Sequence, residues 1–539
     1  MKLLRSGCSG VIALALILLP ILIPVQDVFA QEAIHATGGV ALTIDAKAAT
    51  TPFPHFWEQT FGSGRAILSL RDEYRKDIDA VHEATGFQSV RFHGIFNDEV
   101  GLYDPARKYT NPGQATQAVQ TDGIYNFSYV DQIYDGLLEH HVRPFVELSF
   151  MPKGLAADPN MLHVFWYHPN VSPPKDYTQW DAMMGAFARH LIARYGIEEV
   201  ATWNFEVWNE PNLDFWGGQP RQATYWELYD HTARALKAVN PRIRVGGPAT
   251  AQASWVGEFL KHCHDEGVPV DFASTHVYGN DDNVNVLHTN AKIPRDRMVP
   301  LAVAKVHAEI LASPYPKMPL YFSEYNASYA NEPDVTDSYF MGPWIASTIS
   351  QCDGLVQSMS YWDFADVFEE QGVPRTPFYG GFGLIAEDQI PKPAFHAFAM
   401  LHRLGDQRIP LTSDSALATK TADGGVAIAL WNYLPPIGEG ATYTPEPANS
   451  GGDRTFTVEL QNLPRGSRLT LWRVDGTHGN AIPAFDAMGR PQTPSREQIA
   501  ELRKAGQASP PEHPRLEGGH LTVTIPARGL VVLTAEPTR

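Results

Sequence analysis

The chain has 539 residues, too many for one ordinary domain of about 100–200 residues. Lys plus Arg numbers 42 against 60 for Asp plus Glu, a formal net charge of -18, so the basic footprint that binds a phosphate backbone is missing and nucleic acid is excluded as a partner. Hydrophobic residues make up 44%, and 12 Trp, 21 Tyr and 26 Phe exclude a disordered chain while supplying flat apolar faces on which sugar rings stack.

Residues 1–30 read as an export leader. Lys2 and Arg5 make a short basic start, and no further charge occurs until Asp27. Val11 to Val25 is apolar apart from Pro20 and Pro24, and Val28-Phe29-Ala30 offers small residues where a signal peptidase cuts. Cleavage after Ala30 is expected, giving an exported protein, periplasmic or secreted, with no membrane attachment. The rival is an uncleaved anchor, but the run falls short of a span of about 20 residues and two prolines interrupt it. Cys8 precedes the run and is badly placed for lipid attachment. Only Cys263 and Cys352 remain after cleavage; pairing and two buried thiols both fit.

Residues 31–50 contain a strand-like run, Gly38 to Ala46, with no helix of its own, expected to join a sandwich formed by the other chain end. Residues 51–405 then repeat one rhythm. Apolar or aromatic runs at Phe53–Gln59, Ser89–Phe96, Val142–Phe150, Ala201–Glu210, Ile243–Ala249, Val270–Gly279, Leu320–Ser328 and Leu355–Phe364 read as strands. Helical periodicities lie between them at Arg71–Thr85, Tyr129–His141, Trp180–Tyr195, Arg221–Val239, Ser254–Glu266, Leu301–Leu311 and Asp337–Gln351, with a last one at Pro393–Leu404. Such alternation implies βαβ units and a parallel sheet, and eight units fit an α/β fold of the (β/α)8 TIM-barrel type. From 406 to 539 the texture changes to short strand-like runs, Val426–Tyr433, Arg454–Leu460, Arg468–Val474, His520–Ile525 and Gly529–Ala535. Gly, Pro and Asn turns separate them, which reads as a smaller β-sandwich; Ser495 to Ala505 suits a helix.

In such a barrel the working residues sit at the C-terminal strand ends. The fourth strand runs Trp203-Asn204-Phe205-Glu206-Val207-Trp208-Asn209-Glu210-Pro211, and the seventh Tyr321-Phe322-Ser323-Glu324-Tyr325-Asn326. Each places a Glu in its C-terminal half, inside an aromatic and apolar run where charge is costly. Two converging carboxyls suit glycoside hydrolysis, which needs one protonated and one ionised. Trp208 and Pro211 beside Glu210 would raise its pKa if dry; Ser323, Tyr325 and Tyr278 could donate hydrogen bonds to Glu324. The residues alone leave the division of roles open.

The fourth-strand Asn209-Glu210-Pro211 with Glu324 on the seventh resembles a large clan of retaining glycosidases. More narrowly, the chain resembles glycoside hydrolase family 39, of β-xylosidases and α-L-iduronidases. The resemblance includes Phe61-Gly62-Ser63-Gly64-Arg65-Ala66, Arg91-Phe92-His93-Gly94, Phe150-Met151-Pro152-Lys153-Gly154-Leu155, Ser274-Thr275-His276-Val277-Tyr278-Gly279, Tyr361 to Glu370, Gly380 to Leu384 and Lys392-Pro393. It spans about residues 53–405, the barrel. It implies a double displacement with Glu324 as nucleophile and Glu210 as acid and base. It further implies that Asn209 binds the sugar 2-hydroxyl, that Tyr278 orients the nucleophile with His276 on the same strand face, and that Trp362 forms a platform beneath the sugar. His93, Glu369 and Glu370 are candidates for the remaining hydroxyls. The substrate it implies is a xylo-oligosaccharide or aryl β-xyloside cut at the non-reducing end. The alternatives are α-L-iduronidase, β-glucosidase or α-L-arabinosidase action, or a sugar-binding protein without catalysis. Glu369 and Glu370 speak against a carboxylated sugar.

No metal or cofactor is expected. His262-Cys263-His264 looks metal-like, but adjacent helical residues point apart, and no HExxH, paired-cysteine zinc spacing, dinucleotide fingerprint or phosphate loop occurs. Oligomeric state is not readable.

Overall fold

A computed structural model describes residues 39–103, 108–109, 117–118, 125–436 and 452–537; the expected leader lies outside them. Eight parallel strands close into a barrel: β1 (Thr60–Ser63), β2 (Ser89–Phe92), β3 (Arg143–Glu147), β4 (Asn204–Glu206), β5 (Arg244–Thr250), β6 (Phe272–Tyr278), β7 (Leu320–Asn326) and β8 (Ser358–Tyr361). They neighbour one another in chain order, and Tyr361 of β8 pairs with Phe61 to close the ring. Parallel neighbours need crossovers, supplied by α1 (Asp72–Thr85), α2 (Ser128–Glu139), α3 (Tyr177–Tyr195), α4 (Arg221–Val239), α5 (Val256–Asp265), α6 (Arg295–Ala312) and α7 (Met341–Cys352); α8 (Pro393–Leu401) follows β8. Local chemistry sets their ends. Asp176 caps α3 by accepting from the Thr178 N–H, Gly86 ends α1 in the left-handed region (φ 64°), and Pro393 starts α8 where no N–H is needed.

The first strand begins later than the run Phe53–Gln59 predicts. Phe53, Phe56 and Trp57 are fully buried, but through a turn in which Phe56 N–H donates to Pro54 O and Glu58 N–H to His55 O. Pro52 and Pro54 have no ladder donors. Apolarity here reports burial, not extension.

Two sheets form the sandwich. Val40–Asp45 runs parallel to Arg454–Gln461, which pairs antiparallel with His520–Ile525. The second sheet has the order Arg468–Val474, Leu530–Glu536, Val426–Trp431, Ala416–Lys420, Gln407–Ile409, Thr51–Pro52. Thr51–Pro52 thus pairs in the sandwich from the barrel side of the expected boundary, and the strands at 407–409 and 416–420 had no clear periodic signal. Val426–Trp431 is buried throughout. Its Val426, Ile428 and Leu430 face the sandwich core, and Ala427, Ala429 and Trp431 join the barrel core. The six-stranded sheet is therefore a wall shared with α7 and α8, which explains its continuous apolar run. Helix Arg496–Ala505 is closed by a capping box between Ser495 and Gln498. Cys263 and Cys352 are buried free thiols on α5 and α7.

Candidate active site

The site is built at the C-terminal strand ends. Glu324 lies on β7 and pairs in register with His276 of β6, so two side chains of adjacent strands enter the mouth together. Tyr278 is the last residue of β6, and Trp362 directly follows β8. Gly62 on β1 makes room for that indole: a Cβ there would lie 2.2 Å from Trp362 Cε3. Glu210 stands beyond β4, where Trp208 (φ 73°) and Glu210 (φ 43°) take left-handed conformations that side chains disfavour. Glu210 N–H to Ala249 O at 2.8 Å and Trp208 Nε1–H to Phe215 O at 2.7 Å hold them there.

Glu210 is 9% and Glu324 4% exposed. Atoms of Glu210, His276 and Glu324 lie within 4.8 Å of one another, His276 Nδ1 standing 3.0 Å from Glu210 Oε1 and 3.6 Å from Glu324 Oε1. The Tyr278 hydroxyl donates to Glu324 Oε2 at 2.6 Å. Ser323, instead of serving Glu324, donates to Glu206 at 2.5 Å, and Tyr325 stacks near Trp344.

A network that sequence reasoning missed lies beneath. Arg91 of β2, fully buried, reaches Glu206 (2.6 Å), Glu324 (2.6 Å), Glu147 (2.9 Å) and the Asn209 side-chain oxygen (3.0 Å). Glu147 also faces His93 Nδ1 at 2.7 Å. The available signal was a charged residue inside each of the strands 89–92, 143–147 and 204–206, buried positions where charges must pair.

Electrostatics separate the two acids. Burial raises the Glu210 pKa well above the carboxylate range, and the charges of Glu324 and Asp281 raise it further. Burial also raises Glu324, but Arg91, His93 and the Tyr278 hydrogen bond oppose it. Asp281, which accepts from Tyr278 N–H at 2.7 Å, is itself pushed by burial to about 7. His276 is held neutral, first by burial and then by the Arg91 and His93 charges, so its contact with Glu210 is a hydrogen bond rather than an ion pair. Burial works against protonation of His93, yet Glu147 overcomes it and its pKa rises to about 10. His93 is therefore a cation, with Nε2 3.9 Å from Glu324 and 3.5 Å from Glu370.

The remaining expected residues divide. Trp362, 3% exposed, packs against His93 with ring centroids 4.7 Å apart. Glu370 joins the pocket through His93. Glu369 does not offer a free carboxylate: Arg65 holds one oxygen at 2.7 Å and Arg71 the other at 2.9 Å. It ties the loop after β8 to Arg65 and Arg71. That loop is pinned again by buried Lys392, which donates to Asp337, Asp366 and Gly381 O, each at 2.8 Å. His262 is bonded to Asp230 at 2.8 Å, away from His264.

Comparison with known proteins adds an independent line. The sequence pattern of Glycosyl hydrolases family 39 matches residues 40–518. The chain is 38% identical over 504 residues to a β-xylosidase of Geobacillus stearothermophilus, covering 90% of this chain and 94% of that protein. It is 35% identical to a β-xylosidase of Caldicellulosiruptor saccharolyticus, covering 84% and 88%. The crystal structure of a monomeric β-xylosidase from Caulobacter crescentus CB15 superposes with a TM-score of 0.81 at 34% identity, covering 93% of this chain and all of that one (100%).

Proposed function

The chain belongs to glycosyl hydrolases family 39 and is a glycosidase, and from that premise we propose a retaining exo-β-xylosidase that releases xylose from the non-reducing ends of β-1,4-xylo-oligosaccharides. The observation that carries the reading is the pair Glu210 and Glu324, with oxygens within 4.8 Å across His276. Retaining enzymes keep their carboxyls about 5–5.5 Å apart, whereas inverting ones leave about 6.5–9.5 Å for a water.

Glu324, the less raised of the two and braced by Arg91 and Tyr278, attacks the anomeric carbon. Glu210, kept protonated by burial and by the Glu324 charge, gives its proton to the leaving oxygen. Once Glu324 is esterified its charge is gone, so Glu210 becomes a stronger acid, stays ionised and takes the proton from water. Arg91 occupies the Asn209 oxygen, which turns the amide N–H groups to the sugar 2-hydroxyl. Trp362 supports the ring, and His93 with Glu370 takes further hydroxyls. The exo reading is supported by the depth of Glu324 and by Trp166 N–H donating to Glu370 O at 2.8 Å, a bond that joins the loops after β3 and β8 across one side of the mouth.

A panel of aryl β-xyloside, β-glucoside, α-L-arabinoside and α-L-iduronide substrates tests the choice of sugar. Preference for the β-xyloside is expected; negligible xyloside turnover beside clear action on another sugar rejects it. We also propose export with removal of residues 1–30. Mass spectrometry of the exported protein should find Gln31 at its start, and a retained Lys2 contradicts that.

A further inference from the structure

The pocket rim carries aromatic rings that the double displacement does not use. Phe215 lies in the loop following Glu210, whose turn is set by Leu213 N–H donating to Glu210 O at 2.9 Å. Phe165 comes from the loop after β3. Its ring centroid is 5.2 Å from Phe215 and 6.5 Å from His93, lying within 29° of the His93 plane. The two loops are joined by Gly217 N–H donating to Val171 O at 2.8 Å. Phe165 and Phe215 are only partly buried, and beside them Trp166 keeps 52% of its surface exposed.

His163 stacks on Phe215 with centroids 4.1 Å apart and so holds one side of it, but aromatic surface grouped at the rim of a pocket marks a place where a ligand lies. An acid that protonates the glycosidic oxygen has the departing sugar on its own side, against its own loop. That is where Phe215 stands, with Phe165 continuing the surface outward from the glycone pocket. We propose that Phe165 and Phe215, extended at the rim by Trp166, bind the first sugar of the leaving group, presenting apolar ring faces to the C–H face of a neutral xylose unit. The proposal rests on the xylosidase reading.

The test compares xylobiose with β-D-xylosyl fluoride, whose leaving group is too small to touch these rings. In Phe165→Ala and Phe215→Ala, kcat/KM for xylobiose should fall about 10-fold, as expected for one aromatic contact, while that for the fluoride stays within about 2-fold, under about 0.5 kcal/mol. Retained fluoride turnover shows that the variants fold, and Phe165→Tyr should keep most xylobiose activity. Equal losses on both substrates overturn the assignment, because the rings then shape the glycone pocket; so does unchanged xylobiose turnover. A wild-type protein that cleaves neither substrate overturns the xylosidase reading itself.

Discussion

Replacing Arg91 probes the network under the nucleophile. Its guanidinium meets three buried carboxylates, Glu147, Glu206 and Glu324, from one rigid fork, and also orients Asn209. In Arg91→Lys the charge persists, but a single ammonium cannot span acceptors on β3, β4 and β7. Two charge-assisted hydrogen bonds lost at about 1.5–3 kcal/mol each give about 3–6 kcal/mol, comparable with the about 3–5 kcal/mol of breaking a buried ion pair. Arg91→Met, which leaves all three carboxylates without the cation, should be less stable still. The activity effect has a direction in pH. Arg91 opposes the burial that raises the Glu324 pKa, so weakening it lets that pKa rise, and the acid limb of kcat/KM moves to higher pH. Thermal unfolding and a pH profile with an aryl xyloside read both effects, and at the optimum kcat/KM should drop about 100-fold through misplacement of the nucleophile. A stable Arg91→Lys variant with an unmoved acid limb would refute the reasoning.

The wild-type profile should be bell-shaped, with activity lost below the Glu324 pKa, where the nucleophile is protonated, and above the Glu210 pKa, where the acid is spent; Glu210→Gln should lose the alkaline limb. Glu210→Ala should still form the xylosyl-enzyme from substrates with good leaving groups and then stall, and added azide should restore turnover and yield β-xylosyl azide; no azide product would argue against its role. Lys392→Met removes the cation between two buried aspartates and should cost about 3–5 kcal/mol in unfolding measurements, with the loop after β8 loosened. Asp77, on α1 with no hydrogen-bond partner for either oxygen among the described residues, is pushed by burial to about 9. Its raised value means that stability present below pH 3.8 falls steadily as pH rises towards 9, so Asp77→Asn should gain on the order of 1 kcal/mol or more at pH 8 and flatten that slope; an unchanged slope contradicts it.

The barrel was legible because alternating strand and helix periods repeat through it, and each of the two glutamates stands out as a charge in an apolar strand end. What lay hidden depended on neighbours across the barrel. Arg91, Glu147 and Glu206 look like isolated charges until the closed ring brings β2, β3, β4 and β7 around one axis. Ser323 is adjacent to Glu324 in sequence, yet a register shift in β7 between Phe322 and Tyr325 leaves it bonded to Glu206, within the same Arg91 network as the nucleophile. Glu369 and Glu370 read alike, but their side chains diverge, one to Arg65 and Arg71, the other to His93. The run at Phe53–Gln59 misled because burial and extension leave the same apolar signal, and only Pro52 and Pro54 hinted at a turn.

The central claim is that two close carboxyls work by double displacement. Proton NMR of the first sugar formed from an aryl β-xyloside tests it most directly, before mutarotation mixes the anomers. β-Xylose appearing first is the predicted result; α-xylose appearing first would contradict the account.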